Sequence, residues 1–233
     1  MTGLVAIHQP NFFPWLGYFE KIRRADTLIF LDAVAYPRAG SGGMGSWCNR
    51  VRLAVNGEAR WVTCPLQRMP LGTPIGEAQI DDSQPWRSKL LRTLQANYRK
   101  APQFESCMAL IEPLILEAES NLAAFNIRAI KAIAARLGLS TRFVLQSTLQ
   151  HSGTATERLV SLVKAIGGSA YLSGDGAAGY QRDELFAENG LGLVKLNFVQ
   201  QPYCEPSRFI PGLSVIDYLM WDGRALAQVW EVA

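Results

Sequence analysis

The chain has 233 residues, 48% of them apolar and 18% charged, with a net charge of +3. That balance suffices to bury a core for one large domain or two small ones; it is too mild to mark a nucleic-acid-binding protein, yet leaves room for a local anion site. No apolar run approaches the ~20 residues that span a bilayer, and MTGLVAIHQP lacks the regions of an export signal, so a cytoplasmic protein is expected.

In chain order, residues 3–8 read as a short buried strand running into IHQPNFFP. There Pro10 and Pro14 each fix φ and remove a donor, which makes a stiff turn. WLGYFEKIRRA then places Leu16, Phe19 and Ile22 at helical spacing, with Gly17 set for close packing. TLIFLDAV (27–34) is apolar, β-rich and carries Asp32 at its end. Strand, turn, helix and strand in this order predict a parallel βαβ pair. Residues 36–46, YPRAGSGGMGS, form a glycine-rich loop, and WCNRVRLAV and EARWVTCPL flank Asn56-Gly57, a strong hairpin signal. Helical patterns follow after Pro85 and over 103–119 and 121–137, ending at Gly138. TRFVLQS (141–147) is a further strand, and TATERLVSLVKAIGG opens a helix with Thr154 and Glu157 in capping-box spacing. AYLSG (170–174), a helix around 180–189, LGLVKLNFV (191–199) and a last helix at SVIDYLMW complete the chain; there Ser214 and Asp217 repeat the capping-box spacing. The fold class predicted is α/β: a mainly parallel, Rossmann-like sheet with a β-hairpin and an inserted helical subdomain around 85–137, within a single domain of 1–233.

In open α/β sheets ligands bind beyond the carboxyl ends of the strands. His8, Gln9 and Asn11 belong to that edge, and Asp32 shares it. Histidine can move a proton near neutral pH and a carboxylate can orient it or hold an amine, so His8 and Asp32 are the catalytic candidates. The plainer alternative is that His8 and Gln9 satisfy backbone groups around a proline turn. SWCNR brings Trp47, Asn49 and Arg50, whose planar fork suits a carboxylate or phosphate, against the alternative of a solvated edge-strand Arg and a core Trp. SGDGAAGY holds Gly174, Gly176 and Gly179 as G-x-G-x-x-G between strand and helix, flanked by Ser173 and Tyr180, which is a cradle for a phosphate or other anion. The string is short and late in the chain, and does not argue for a whole dinucleotide fold. Cysteines 48, 64, 107 and 204 form no C-x-x-C, and with only His8 and His151 no zinc-ligand spacing arises, so no metal site is expected. Cys48 reads as a bystander thiol, Asp217 as a helix cap and His151 as a loop residue. Tyr98 and the tryptophans at 61, 86, 221 and 230 read as core or rim.

IHQPNFFPWLGYFEKIRRADTLIFLD, W-C-N-R, APQF, YLSGDGAAGY and FIPGLSVIDYL, in that order, resemble the WbqC-like family over nearly the full length. The positions that match are His8, Gln9, Pro10, Asn11, Pro14, Gly17, Asp32, Asn49, Arg50, Ser173, Gly174 and Tyr180. Members are often encoded beside genes for O-antigen and other surface polysaccharides. The resemblance therefore implies a step on a sugar nucleotide, with amide formation on an amino sugar as the specific expectation. His8 would then free the amine as general base with Asp32 nearby, while Arg50 or the 174–179 loop holds a phosphate or carboxylate. The chain departs from the family in DAVAYP after the second strand, in the glycine-expanded loop and in Cys48, which points to a specialised member such as one in natural-product biosynthesis.

Three functions remain open at this level. One is a transferase forming an amide or related bond on an amino-bearing small molecule, its donor an acyl or aminoacyl carrier such as a thioester or aminoacyl-tRNA. Another is a nucleotidyl-transfer or adenylate-forming enzyme, which PNFFPWLGYF disfavours because it has no second His. The third is a non-catalytic ligand-binding protein of a glycan pathway. The cofactor is unspecified, a nucleotide-containing substrate fits, no membrane partner is expected, and a homo-oligomer is compatible with the sequence.

Overall fold

The computed structural model describes residues 3–38, 46–174 and 181–226. β1 (Leu4–His8) passes through the proline turn into α1 (Leu16–Arg24) and back as β2 (Thr27–Phe30). The hairpin β3 (Arg50–Val55) and β4 (Glu58–Thr63) follows, then three helices: α2 (Trp86–Tyr98), α3 (Phe104–Leu116) and α4 (Leu122–Arg136). The chain re-enters the sheet as β5 (Arg142–Leu145), α5 (Ala155–Ala165), β6 (Ala170–Ser173), α6 (Glu184–Glu188) and β7 (Gly192–Lys195), and closes with α7 (Val215–Trp221).

Five strands form one sheet in the order β5-β2-β1-β6-β7, every neighbouring pair parallel. This is the doubly wound order, and it reverses direction between β1 and β6. Side chains alternate between the two faces, so the inner strands β1, β2 and β6 contribute to two cores. Ala6, Leu28, Phe30 and Leu172 face one core with Phe19 and Ile22 of α1 and with Leu90, Ile111, Ile130 and Ile133 of the helical block. Val5, Ile7, Ile29 and Tyr171 face the other, with Val160 and Val163 of α5 and Phe186 of α6. Covered faces on both sides explain why the strands read as near-continuous apolar runs. The block 86–136 enters between β2 and β5 and shares the core formed by Ala6, Leu28 and Phe30.

The hairpin turns at Asn56 (φ 52°) and Gly57 (φ 80°), the paired left-handed conformations of a two-residue turn. α4 begins at Asn121, whose side chain accepts the Ala124 N–H at 2.9 Å.

Two capping expectations are corrected. Thr154 makes no side-chain cap bond; Glu157 instead reaches Arg182 at 2.9 Å. Asp217 is not a capping partner: Ser214 caps α7 through the Ile216 N–H, while the buried Asp217 carboxylate accepts the hydroxyls of Tyr98 at 2.7 Å and Tyr203 at 2.6 Å. The two tyrosines come from α2 and the segment before α7, so only the folded chain could assemble that pair. β2 is also shorter than the apolar run suggested, because the Asp32 N–H turns back onto the Phe30 carbonyl at 3.0 Å.

Gly17 supports close packing as expected: a Cβ there would lie 2.7 Å from Phe198 Cδ1 and 2.8 Å from Trp15 Nε1. Gly17→Ala therefore loses about 1–3 kcal/mol to overpacking despite alanine's better helix propensity, measurable by urea denaturation. Among the described residues no helix is long and apolar enough to cross a membrane.

Candidate functional site

The turn after β1 is held from three sides. Asn126 of α4, fully buried, donates its amide to the carbonyls of Pro10 at 2.9 Å and Cys48 at 2.7 Å. The Phe12 N–H donates to the Trp47 carbonyl, and from the α7 side Ser214 Oγ donates to the Phe13 carbonyl while the Val215 N–H donates to that of Pro14. Between these anchors Phe13 adopts φ 40°, a left-handed conformation that costs a bulky residue of order 1–3 kcal/mol. Its ring, packed edge-on against Phe12 and Phe125, holds it there.

The rigid turn fixes His8. Its Nδ1 lies 3.1 Å from the Gln9 carbonyl, which also accepts the Tyr18 hydroxyl at 2.9 Å. A carbonyl only accepts, so Nδ1 carries the hydrogen and Nε2 keeps the lone pair. The ring packs edge-on against Tyr18, with centroids 4.6 Å apart, and against Trp15. Desolvation, then the positive charge of Lys21, lowers its pKa from 6.5 to about 3, so the imidazole is neutral at physiological pH.

Two cavities meet at His8 and Gln9. The first, about 530 Å³, opens at the order reversal of the sheet, between the ends of β1, β2 and β6 and the start of α5. Lys21 and Arg158 line it, with Thr156, Gly174 and Gln181. The Lys21 ammonium, nearly wholly buried, donates to the Ile7 carbonyl at 2.9 Å and sits 5.5 Å from the Tyr171 ring centroid. Arg158 Nε is buried without a hydrogen-bond partner among the described residues. The second cavity, about 370 Å³, is lined by Asn11, Trp15, Trp47, Arg38 and Arg50. Among the described residues neither lining includes an Asp or Glu. Arg158 on the first wall and Arg38 and Arg50 on the second place positive charge at both cavities, which favours an anionic ligand.

The structure thus brings together His8, Gln9, Asn11, Trp47, Arg50 and Gly174. Ser173 is buried just below, donating to the side-chain oxygen of Gln181 at 3.0 Å, and so positions a lining residue. Gly176, Gly179 and Tyr180 lie outside the described residues. Asp32 and Asn49 stand apart from both linings. The Asp32 carboxylate accepts the Ser147 N–H at 3.0 Å and hydroxyl at 2.5 Å, tying the end of β2 to the turn after β5. Asn49 accepts from the Tyr36 hydroxyl at 2.7 Å and donates to the Cys64 carbonyl at 2.9 Å, which locks the entry to the hairpin. Asp32→Ala leaves the Ser147 amide unpaired; it should cost roughly 1.5–3 kcal/mol in chemical denaturation. Burial pushes the Cys48 thiol up to about 12, and it contacts Asn11 Oδ1 at 3.6 Å, consistent with an unreactive thiol.

Sequence reasoning did not single out Lys21, Arg158 or Asn126. A Lys on an amphipathic helix reads as solvated, and the only local sign at Arg158 is its place in the first turn of a helix that follows a strand.

The model of the WbqC-like protein family matches residues 9–229 of the chain. The chain is also 30% identical over 221 residues, 92% of each chain, to a Mycobacterium tuberculosis protein named "Uncharacterized protein Rv1507c". No solved structure matches it.

Proposed function

The chain belongs to the WbqC-like protein family, and from that premise we propose that it is a small-molecule transferase forming an amide or related bond on an anionic, amino-bearing acceptor, such as an amino sugar nucleotide or natural-product intermediate. The observation that carries this reading is His8: a neutral imidazole with Nε2 free to accept, at the junction of two cation-lined cavities. The acceptor's phosphate or carboxylate pairs with Lys21 and Arg158 in the first cavity. Positive surroundings also favour the uncharged form of an amine, which is the nucleophilic one. As the amine nitrogen bonds to the carbonyl carbon of an activated acyl group, its proton passes to His8 Nε2. The bond from that carbon to its carrier breaks, the electron pair leaves with the carrier, and the carrier takes the proton from His8. Burial is the larger cause of the lowered His8 pKa and Lys21 the second; an anion beside Lys21 offsets that second cause, so acceptor binding itself strengthens the base.

The test is a thermal-shift panel of anionic amines, amino sugar nucleotides among them, against matched hydroxyl compounds and uncharged amines. A ligand at a hundred times its Kd adds about 2.7 kcal/mol of stability. Stabilisation by anionic amines that is lost in Arg158→Met supports the reading. Equal stabilisation by uncharged amines would count against it.

A further inference from the structure

We propose that the second cavity is a nucleotide subsite, in which the Trp47 indole stacks a base and the Arg50 guanidinium carries a phosphate. This deepens the reading above, and rests on it, by naming the carrier of the activated group: a nucleotide-bearing donor that meets the acceptor across His8 and Gln9.

Trp47 keeps 38% of its surface exposed although it is a large aromatic side chain. Its ring is braced by Trp15, with centroids 5.3 Å apart, and by the edge-on ring of Trp61 at 5.0 Å. The indole is therefore held in place with part of its surface open to the cavity rim. A rigid, partly exposed indole is a stacking platform, and base–aromatic stacking is worth about 1–3 kcal/mol.

Arg50 supplies the charge. Its guanidinium lies 4.1 Å over the Trp61 ring, which fixes the plane of the fork in advance. It has no ion-pair partner among the described residues, and its Nε is buried without a hydrogen bond there. A second cation, Arg38, stands at the rim, donating to the Met69 carbonyl at 2.5 Å. A planar cation held without a carboxylate is arranged for bidentate phosphate recognition. Gln9 and Asn11 place amide groups in the same lining, able to read a base edge. The cavity volume of about 370 Å³ falls within the range of ~300–1,000 Å³ typical of small-molecule sites. An uncharged sugar would use the tryptophan but leave both arginines without a counter-charge, so an aromatic anion is the better match.

Tryptophan emission reports on this cavity in particular, because Trp15 and Trp47 line it and, among the described residues, no tryptophan lines the first one. AMP is titrated into the full chain and its binding followed by emission and by calorimetry. The expected result is saturable quenching with AMP, binding at least tenfold weaker with adenosine, and no quenching with inorganic phosphate. Trp47→Leu should lose the quench and Arg50→Met should raise the AMP Kd tenfold or more, while Trp47→Phe, which keeps a stacking ring, stays within about threefold. Arg158→Met, in the first cavity, should leave AMP binding within twofold. Weakening by Arg158→Met but not by Arg50→Met would move the nucleotide to the first cavity and overturn the subsite while leaving the acceptor reading intact. Absence of saturable binding by AMP, ADP and UMP alike overturns it too. Normal AMP binding in a chain that no anionic amine stabilises would instead remove the acceptor reading and keep this subsite.

Discussion

His8→Ala should lower turnover by roughly 10²- to 10⁴-fold, the usual contribution of a positioned general base, while the chain stays folded. The side chain sits at the end of β1, and its one hydrogen bond among the described residues is to the adjacent Gln9 carbonyl, which Tyr18 continues to fill in the variant. The pH dependence is a second readout. The folded pKa is about 3, against 6.5 for the free imidazole. Between those values the unfolded chain binds a proton that the folded one does not. The stability associated with neutral His8 is therefore fully present above about pH 6.5 and is lost as pH falls toward 3. His8→Asn should flatten that part of the stability profile. In turnover, the acid limb of kcat/KM, which reports the free enzyme, should lie well below 6.5, and that of kcat should lie higher than that of kcat/KM, because bound acceptor offsets the Lys21 contribution while the larger effect of burial remains. Unchanged turnover in His8→Ala would leave a binding protein as the better description.

Asn126→Ala should cost about 3 kcal/mol in denaturant unfolding and reduce activity along with it. One buried amide serves the carbonyls of both Pro10 and Cys48, and each carbonyl left without a donor costs of order 1–3 kcal/mol. These two bonds join the turn after β1 to the segment before β3, so they set the distance between His8 on one side and Trp47 and Arg50 on the other. The strained Phe13 backbone depends on the same anchors. Loosening them should let the turn relax, which raises KM and lowers kcat together. A variant as stable as the parent would mean that water or a neighbouring group replaces the amide.

What the sequence made legible follows from how local each signal is. β1, α1 and β2 could be read because apolar strands covered on both faces and a proline turn are written in consecutive residues. The Asn56-Gly57 hairpin was legible for the same reason, since its two positive φ angles call for those residues. His8 and Gln9 could be placed at the ligand edge because the end of a first parallel strand is an end whatever the remaining topology. Lys21 and Arg158 could not, because their convergence depends on β6 and α5 coming to lie beside β1, and strand order is not a local property. Asp32 shows the converse. Its position after β2 suggested chemistry, but its partner is Ser147, 115 residues away. Asp217 reads as a cap in the sequence because its spacing from Ser214 is local, whereas the tyrosines that hold it are 119 and 14 residues distant.

The most direct test of the central claim is a crystal structure of the chain with the anionic amine that stabilises it best. The account predicts the amine nitrogen within about 2.6–3.2 Å of His8 Nε2, with the anionic group between Lys21 and Arg158 at the reversal of the sheet. A ligand bound with its amine away from residues 7–9, or with its anion turned from both cations, would contradict it.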